Sequence, residues 1–252
     1  LIVVGSTGSG KSSLAMELAS QWNGEIVNCD SLQLYRGFDI GTAKTPFAER
    51  QGIPHHLFDV LDPQVSYSAG EYARVARAAL TEITGRGHLP VVVGGTGFYL
   101  RALLVGLPTL PERDEELRTK LLSREQKRPG ALHKILCRLD PTAAAAIHAN
   151  DVQKLTRALE IRLLTHAPRP AGVPSEPLTG YRTLKIGLDP DRTALNRSLD
   201  ERVLEMFRTG LVEEVRGLLA LGLTGDEKPF ESLGYKQAVA HLRGTMTLEE
   251  DR

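Results

Sequence analysis

The chain has little cysteine and no excess of charge of either sign, and both shortages narrow the classes of protein to which it can belong. Its two cysteines, Cys29 and Cys137, lie far apart in a chain of 252 residues, which argues against a disulfide framework and is typical of a reducing compartment. Basic and acidic residues number 31 each, so the formal net charge is zero. No overall field attracts nucleic acid, and any such attraction must come from a local patch.

Long apolar runs are also missing. None approaches the roughly 20 residues that a membrane helix needs, and no signal peptide is recognisable, so we expect a cytoplasmic protein without a membrane segment. A hydrophobic content of 41% and a charged content of 25% are those of an ordinary globular protein. The chain opens inside its first apolar run and stops in a charged stretch, so we expect truncation at one or both ends.

A glycine-rich segment near the start fits the phosphate-loop pattern G-x-x-x-x-G-K-[ST]. Residues 5–12 carry the pattern, an apolar β-branched run at 1–4 precedes it, and residues 12–22 show the periodicity of an amphipathic helix. A chance match in a Gly/Ser-rich turn is disfavoured because strand, loop and helix follow in the required order. The predicted apolar face of the helix comprises Leu14, Leu18 and Trp22.

Such a loop binds anionic oxygens for physical reasons. Glycines let successive backbone N–H groups turn inward, and the start of the helix adds partial positive charge. Lys11 would reach the terminal phosphates of a ligand, and the Ser12 hydroxyl would bind Mg²⁺. The loop predicts a phosphorylated ligand without defining the reaction.

Two further apolar runs predict strands whose carboxyl ends lie beside this loop. Residues 25–29 lead into Asp30, and residues 89–93 lead into the segment 94–97, Gly-Gly-Thr-Gly. Parallel α/β sheets bind ligands at the carboxyl ends of their strands, so Asp30 is predicted to lie near Lys11. Residues 32–66 are predicted to be irregular. The other predicted elements are helices at 67–84 (capped by Ser68), 98–104, 193–208 and 211–221, and a strand at 183–188.

Residues 112–166 show helical periods and no candidate strand, with helix starts predicted at Asp140 and Asp151. The segment from Leu117 to Arg138 contains seven basic residues and one acidic residue, Glu125, which gives a local net charge of +6. A solvated helix surface is the ordinary explanation of such a run. Prolines in 166–180 predict a linker. We therefore predict a P-loop NTPase-like α/β core with a parallel sheet, an inserted all-helical domain at 112–180, and core segments at 1–111 and 181–252.

Two reaction classes use such a loop: phosphoryl transfer from a nucleoside triphosphate, and displacement of a diphosphate leaving group from carbon. A P-loop NTPase usually has an Asp after a second apolar strand to hold Mg²⁺. Here the strand 91–93 ends in Gly94-Gly95-Thr96, whose hydroxyl suits a neutral substrate better than a metal. This weakens the NTPase interpretation without removing it.

Ordered motifs along nearly the whole chain resemble the tRNA dimethylallyltransferase (isopentenyltransferase) family, and the run 30–44 is the most specific of them. The resemblance implies transfer of a dimethylallyl group from dimethylallyl diphosphate to N6 of the adenosine 3′ of the anticodon in tRNA, with Mg²⁺ as cofactor. We expect a monomer, although the sequence itself does not define the oligomeric state. The matching segments are 5–12, 30–44, 54–56, 67–69, 94–99, 140–141, 147–151, 157–160 and 234–235.

The resemblance also implies roles for individual residues. Asp30 would be the general base that takes the proton of the attacking amine, although it could bind Mg²⁺ or cap a turn instead. Thr96 would hydrogen-bond the reacting nucleotide or merely close its turn, and Arg202 would stabilise the leaving group or be a surface arginine. The expected diphosphate-binding residues are Gly5, Ser6, Thr7, Gly8, Ser9, Gly10, Lys11 and Ser12.

The implied tRNA contacts give the basic helical insertion a function, since it would grip an RNA stem by its phosphates. The alternatives are a transferase acting on free adenine nucleotides, a small-molecule kinase and a non-catalytic RNA-binding protein. His55 and His56 are interpreted as loop packing and Cys29 as core; Lys236 stands where the family often has Arg. The expected tRNA-binding residues are Asp30, Ser31, Leu32, Gln33, Thr96, Arg118, Gln153, Lys154, Leu155, Thr156, Arg157, Glu231, Ser232, Leu233, Gly234, Tyr235 and Lys236.

Overall fold

A computed structural model describes residues 1–108, 110–166 and 176–246. The chain divides into two units, which we call the core unit (Leu1–Gly106 with Pro177–Arg252) and the helical unit (Leu107–Glu176). The helical unit interrupts the core unit in sequence. Most of the predicted linker at 166–180 lies outside the described residues.

The core unit is built on one sheet of five parallel strands in the order β3-β2-β4-β1-β5. The α/β prediction with a parallel sheet is confirmed. Since the strands are parallel, the ends of β1, β2 and β4 meet at one edge of the sheet. The strands are β1 (Ile2–Gly5), β2 (Gly24–Asn28), β3 (His55–His56), β4 (Leu89–Val93) and β5 (Lys185–Leu188).

The described part of the chain also contains ten α-helices, divided between the two units. None of those helices combines the length and apolarity needed to cross a membrane. The helices are α1 (Lys11–Gln21), α2 (Ala69–Gly85), α3 (Gly97–Val105), α4 (Glu115–Lys127), α5 (Ala131–Leu139), α6 (Pro141–Ala146), α7 (Val152–Thr165), α8 (Arg192–Arg208), α9 (Leu211–Ala220) and α10 (Tyr235–Leu242).

Helix starts follow the capping rules. Ser68 accepts a hydrogen bond from the Glu71 amide and Glu71 accepts one from the Ser68 amide, a capping box that starts α2 as predicted. Asp140 and Asp151 cap α6 and α7 by accepting hydrogen bonds from the amides of Ala143 and Lys154, which confirms both predicted starts. In the helical unit these caps orient apolar faces that share one core, whose fully buried members include Leu132, Leu136, Leu155 and Leu159.

Three elements differ from the sequence prediction. Trp22 does not belong to the apolar face of α1; it follows the helix and is 51% exposed, while Ala15, Met16 and Ala19 join Leu18 in the core. The segment 32–66 is not wholly irregular, because His55 and His56 form β3 at the edge of the sheet. Helix α10 was not predicted.

Candidate active site at the carboxyl edge of the sheet

The phosphate loop connects β1 directly to α1. Gly8 and Gly10 have φ angles of 79° and 84°, which only glycine adopts without strain, and Gly10 immediately precedes the helix. The Lys11 ammonium donates to the Ser6 carbonyl oxygen at 2.6 Å, within the loop itself. The Ser9 hydroxyl oxygen is buried and has no hydrogen-bond partner among the described residues. A buried hydroxyl without a partner is costly, so it is consistent with a ligand-binding loop.

Helix α8 packs on the phosphate loop. A Cβ atom added to Gly8 would lie 2.9 Å from Cδ2 of Leu199 and 3.5 Å from Cδ1 of Leu195. Arg202 follows Leu199 by three residues and so lies on the same side of the helix. A residue from the last quarter of the chain is thereby placed beside a loop at its start.

Charges of both signs meet at this edge. Burial lowers the pKa of Lys11; the carboxylate of Asp30 opposes the change, and the nearby Arg202 adds to it. Burial likewise lowers the pKa of Arg202, again opposed by Asp30. The three predicted site residues therefore act on one another electrostatically: two half-buried cations and one carboxylate, with the cations beside the anion-binding loop.

Asp30 is fixed by a buried asparagine. The Asn28 side chain accepts a hydrogen bond from the Asp30 amide at 2.8 Å and donates to the Asp30 carbonyl at 3.0 Å and the Leu57 carbonyl at 2.9 Å. One carboxylate oxygen of Asp30 accepts from the Leu32 amide at 2.9 Å. The other accepts no hydrogen bond from the described residues. Asn28 has no exposed surface, and nothing in the sequence pattern distinguished it from an ordinary strand residue.

Thr96 lies beside the residue that follows Asp30. Its Oγ1 accepts from the Ser31 amide at 3.0 Å and lies 3.3 Å from the Ser31 hydroxyl oxygen. Thr96 precedes α3, but its side chain caps no amide of that helix. The strand ends meet closely here: a Cβ on Gly94 would lie 2.2 Å from the carbonyl carbon of Cys29. The predicted pair, Asp30 and Thr96, thus stands on adjoining strand ends.

A pocket at this edge combines polar and apolar walls. Ser12, Asp30, Gln33 and Gly94 contribute to it, together with Thr45 and His55. Its apolar lining consists of Met16, Ile26, Phe58 and Val93. Every polar residue of this lining except Thr45 belongs to a sequence motif, whereas no motif marked the apolar residues.

Comparisons with known proteins identify the family to which the chain belongs. The family model described as IPP transferase matches residues 33–252. The chain belongs to the IPP transferase family. It is 58% identical over 250 residues to a tRNA dimethylallyltransferase of Solibacter usitatus, covering 98% of this chain and 81% of that protein. The fold class predicted from the sequence is that of the family.

Two solved structures of the family are similar across nearly the whole chain. The tRNA isopentenylpyrophosphate transferase of Bacillus halodurans is 38% identical, with a TM-score of 0.68 and coverage of 99% of this chain and 79% of that one. A eukaryotic dimethylallyltransferase acting on tRNA is 28% identical, with a TM-score of 0.77 and coverage of 99% and 64%.

The residues expected to contact tRNA in the core unit divide by exposure. Leu233 is 85% exposed and Lys236 and Glu231 are also exposed, while Ser232 and Gly234 are half-buried. Ser31, Leu32 and Gln33 are half-buried beside Asp30 and Thr96. Tyr235 has no exposed surface, so its side chain packs in the core and the expected contact does not extend to it.

In the helical unit, two arginines expected to contact RNA hydrogen-bond a buried carboxylate. Glu160 has no exposed surface and accepts from Arg157 at 2.6 Å and from Arg118 at 3.3 Å. Leu155 and Thr156 are also fully buried, which corrects the expectation of a side-chain contact with RNA for these two residues. Gln153 and Lys154 are exposed.

His55, His56 and Cys29 lie in the core unit, and none of them is among the charged residues Lys11, Asp30 and Arg202. His56 does not simply pack in a loop: it hydrogen-bonds Glu25 from within β3. Burial raises the pKa of the Cys29 thiol to about 11, so this thiol is a core group and not a nucleophile, as predicted. Within the described ranges, no group of three or more His, Cys, Asp or Glu side chains is arranged to hold a metal ion.

Proposed function

We propose that this chain is a tRNA dimethylallyltransferase, which transfers the dimethylallyl group of dimethylallyl diphosphate to N6 of the adenosine 3′ of the anticodon and releases diphosphate. Family membership supports the activity. The observation that carries the chemistry is the position of the Asp30 carboxylate, within electrostatic reach of Lys11 and Arg202 at the phosphate loop.

The cations and the loop amides act on the leaving group. As the bond between carbon and oxygen breaks, negative charge grows on the departing diphosphate. Backbone N–H groups from Ser6 to Gly10, the start of α1, Lys11 and Arg202 are fixed donors for that charge, and fixed donors need no reorganisation during the reaction. Lys11 would exchange its hydrogen bond with the Ser6 carbonyl for one with the diphosphate.

The carboxylate acts on the nucleophile. An exocyclic adenine amine is a poor nucleophile because its lone pair is delocalised, so placement and proton removal both matter. The carboxylate oxygen of Asp30 that accepts no hydrogen bond within the described chain is available to take that proton. The Thr96 hydroxyl, fixed by Ser31, is available to orient the nucleotide.

The polar wall of the pocket also fits Mg²⁺, a cation that prefers oxygen ligands and keeps several waters. The Ser12 hydroxyl is exposed at the start of α1 and shares the pocket with the Asp30 carboxylate, and the buried Ser9 hydroxyl lies in the same loop. Bound there with diphosphate, the ion would neutralise charge on the leaving group. Ser12 is the residue that we propose as its protein ligand.

The apolar wall supports prenyl transfer over phosphoryl transfer. Met16, Ile26, Phe58 and Val93 adjoin Ser12 and Asp30, so a hydrocarbon group attached to a diphosphate held by the loop would meet apolar side chains. We further propose that the enzyme is a cytoplasmic monomer, because every group assigned to the reaction comes from one core unit and tRNA is its substrate.

The test is transfer of label from radioactive dimethylallyl diphosphate, with Mg²⁺, to an anticodon stem-loop that has adenosine 3′ of the anticodon. We expect labelled RNA, and no label on a stem-loop with guanosine at that position. Labelling of free AMP but not of RNA would instead identify an enzyme of free nucleotides. Consumption of ATP without either product would identify a kinase.

A further inference from the structure

The loop that follows Asp30 is held by two residues far away in sequence. Glu214 of α9 accepts hydrogen bonds through Oε2 from the amides of Asp39 at 3.1 Å and Ile40 at 2.8 Å. The Tyr235 hydroxyl donates to the other oxygen of Glu214 and accepts from the Gly41 amide at 3.2 Å. Three successive backbone amides are therefore fixed by one pair of side chains.

The pair is rigid because the tyrosine ring is fully enclosed. Tyr235 has no exposed surface, and its ring centroid lies 4.8 Å from that of Phe38 and 6.3 Å from that of Phe230. A Cβ on Gly41 would lie 2.4 Å from the tyrosine ring, so only glycine allows this approach. Burial first, and the neighbouring Glu214 second, raise the pKa of the Tyr235 hydroxyl, which therefore keeps its proton and donates it to the carboxylate.

The fixed backbone continues to the active site. Gln33 donates through Nε2 to the carbonyl of Thr42 at 2.9 Å and that of Ala43 at 3.4 Å, the two residues that follow Gly41. Gln33 lines the same pocket as Asp30. The connection thus runs from Tyr235 and Glu214 through the backbone at 39–43 to Gln33.

We propose that Glu214 and Tyr235 are positioning residues for the transfer reaction: they fix the backbone at 39–43 and thereby hold the Gln33 side chain beside Asp30. The inference rests on the proposed function. It gives Tyr235 a role in the core, in place of the RNA contact expected from the sequence.

The test uses two variants that keep the packing. Tyr235→Phe removes the hydroxyl that bonds Glu214 and the Gly41 amide. Glu214→Gln replaces one of the two accepting carboxylate oxygens with an NH₂ group, so the side chain can no longer accept from both Tyr235 and the backbone amides. We expect kcat on the stem-loop to fall about tenfold, because small misplacements of reacting groups are costly, and KM for dimethylallyl diphosphate to stay within about twofold, because neither residue contacts the phosphate loop. Glu213→Gln is the matched control: among the described residues its exposed side chain pairs only with Arg216, and we expect wild-type kinetics. Unchanged kcat in both test variants would overturn the proposal.

Two further measurements separate positioning from general weakening of the fold. In a Gln33→Ala background we expect Tyr235→Phe to lower kcat by no more than about twofold, since the two changes interrupt one connection; fully additive losses would contradict the proposal. Hydrogen exchange at the amides of 39–41 should be faster in Tyr235→Phe than in Glu213→Gln, and equal rates would also overturn it. The exchange result holds whether or not the wild-type protein transfers the prenyl group, so inactivity of the wild type would refute the proposed function alone.

Discussion

At the scale of single residues, the two oxygens of the Asp30 carboxylate have different surroundings. One accepts a hydrogen bond from the Leu32 amide, and the other accepts none from the described residues. The Asn28 side chain fixes the backbone of Asp30 at both ends, since it hydrogen-bonds both the amide and the carbonyl of that residue. Main-chain contacts therefore position the oxygen that we propose takes the proton, and the contacts of Asn28 do not depend on the charge of the carboxylate.

This arrangement makes Asp30→Asn a clean test of the base. The asparagine oxygen can still accept from the Leu32 amide, so the turn should persist while proton removal is lost. We expect the single-turnover rate of prenyl transfer to fall about 10²- to 10⁴-fold, with the dissociation constant of diphosphate, measured by calorimetry, changed by less than about threefold. Asp226→Asn, at a largely exposed position, should behave as wild type. Turnover near the wild-type rate in Asp30→Asn would refute the assignment.

The position of Asp30 and Lys11 at the same edge of the sheet was predictable from the sequence, because the carboxyl ends of the strands meet there in any parallel sheet. Sequence alone could not find Asn28 or Glu214, whose roles depend on contacts between distant segments. It also could not tell that the side chains of Leu155 and Tyr235, in segments expected to contact tRNA, are fully buried, because a family motif marks a segment and does not tell which of its side chains face the core.

At the scale of elements, the geometry of the site depends on how closely the ends of β2 and β4 approach. Gly94 lies directly against the carbonyl group of Cys29 and the amide of Asp30. The Thr96 amide donates to the same Cys29 carbonyl at 3.1 Å. The glycines after β4 therefore differ in function: the first allows two backbones to touch, and that contact aligns Thr96 with Ser31.

Two neighbouring substitutions separate these effects. In Gly94→Ala the new methyl would overlap the Cys29 backbone, and we expect a loss of about 3 kcal/mol or more in the free energy of unfolding, since backbone cannot give way as a side chain can. In Gly95→Ala the new methyl would have no atom within 4 Å. Neither glycine has a positive φ, so backbone strain does not distinguish the two variants. Urea titration should find Gly95→Ala within about 0.5 kcal/mol of wild type; equal losses in both variants would show that contact with β2 is not the cause.

Elements with strong local signals were predictable, and those defined by distant partners were not. The phosphate loop and α2 have sequence rules of their own, namely the glycine pattern and the Ser68 cap. Strand β3 has two residues and exists only because β2 is beside it. Trp22 fits the helical period of α1, but the helix ends before it.

At the scale of the whole molecule, positive charge in a neutral protein is concentrated on part of the helical unit. Two of the seven cations between residues 117 and 138 are paired, Lys120 with Glu116 and Arg118 with Glu160. The other five, which form no ion pair with described residues, are exposed: Arg124, Lys127, Arg128, Lys134 and Arg138. These five are the better candidates for phosphate contacts.

Neutralising two of them should weaken RNA binding without changing the chemistry. For Lys127→Gln with Lys134→Gln, we expect the slope of log Kd against log salt for the stem-loop to fall by about 1 to 2, as counterion release at two phosphates predicts. The value of kcat at saturating RNA should not change. Lys120→Gln, which removes a cation already paired, is the control and should alter the slope less. An unchanged slope in the double variant would place the RNA elsewhere.

Stability should depend on pH through a carboxylate at the other end of β2. Glu25 is buried and bonded to Arg86, His56 and His88, and the Arg86 hydrogen bond above all lowers its pKa from 4.5 to about 2. Since the pKa is lower in the folded state, the stabilisation is complete above about pH 4.5 and is lost as the pH falls towards 2.

We expect Glu25→Gln to lose about 3 kcal/mol of unfolding free energy at pH 7 and progressively less below pH 4.5. Urea titrations at several pH values would measure the difference, with Glu17→Gln, an exposed position on α1, as the control. A difference that stays constant down to pH 3 would show that the charge of Glu25 is not its origin.

The contact between Gly8 and Leu199 also has a consequence for biosynthesis. A ribosome releases the first strand and its glycine turn long before residues 192–208, so the nascent chain must wait for some 180 intervening residues before α8 can cover that turn. Until then the nascent protein lacks Arg202, which we propose stabilises the leaving group. On that proposal, catalytic competence is acquired late in translation, after the whole helical unit has emerged.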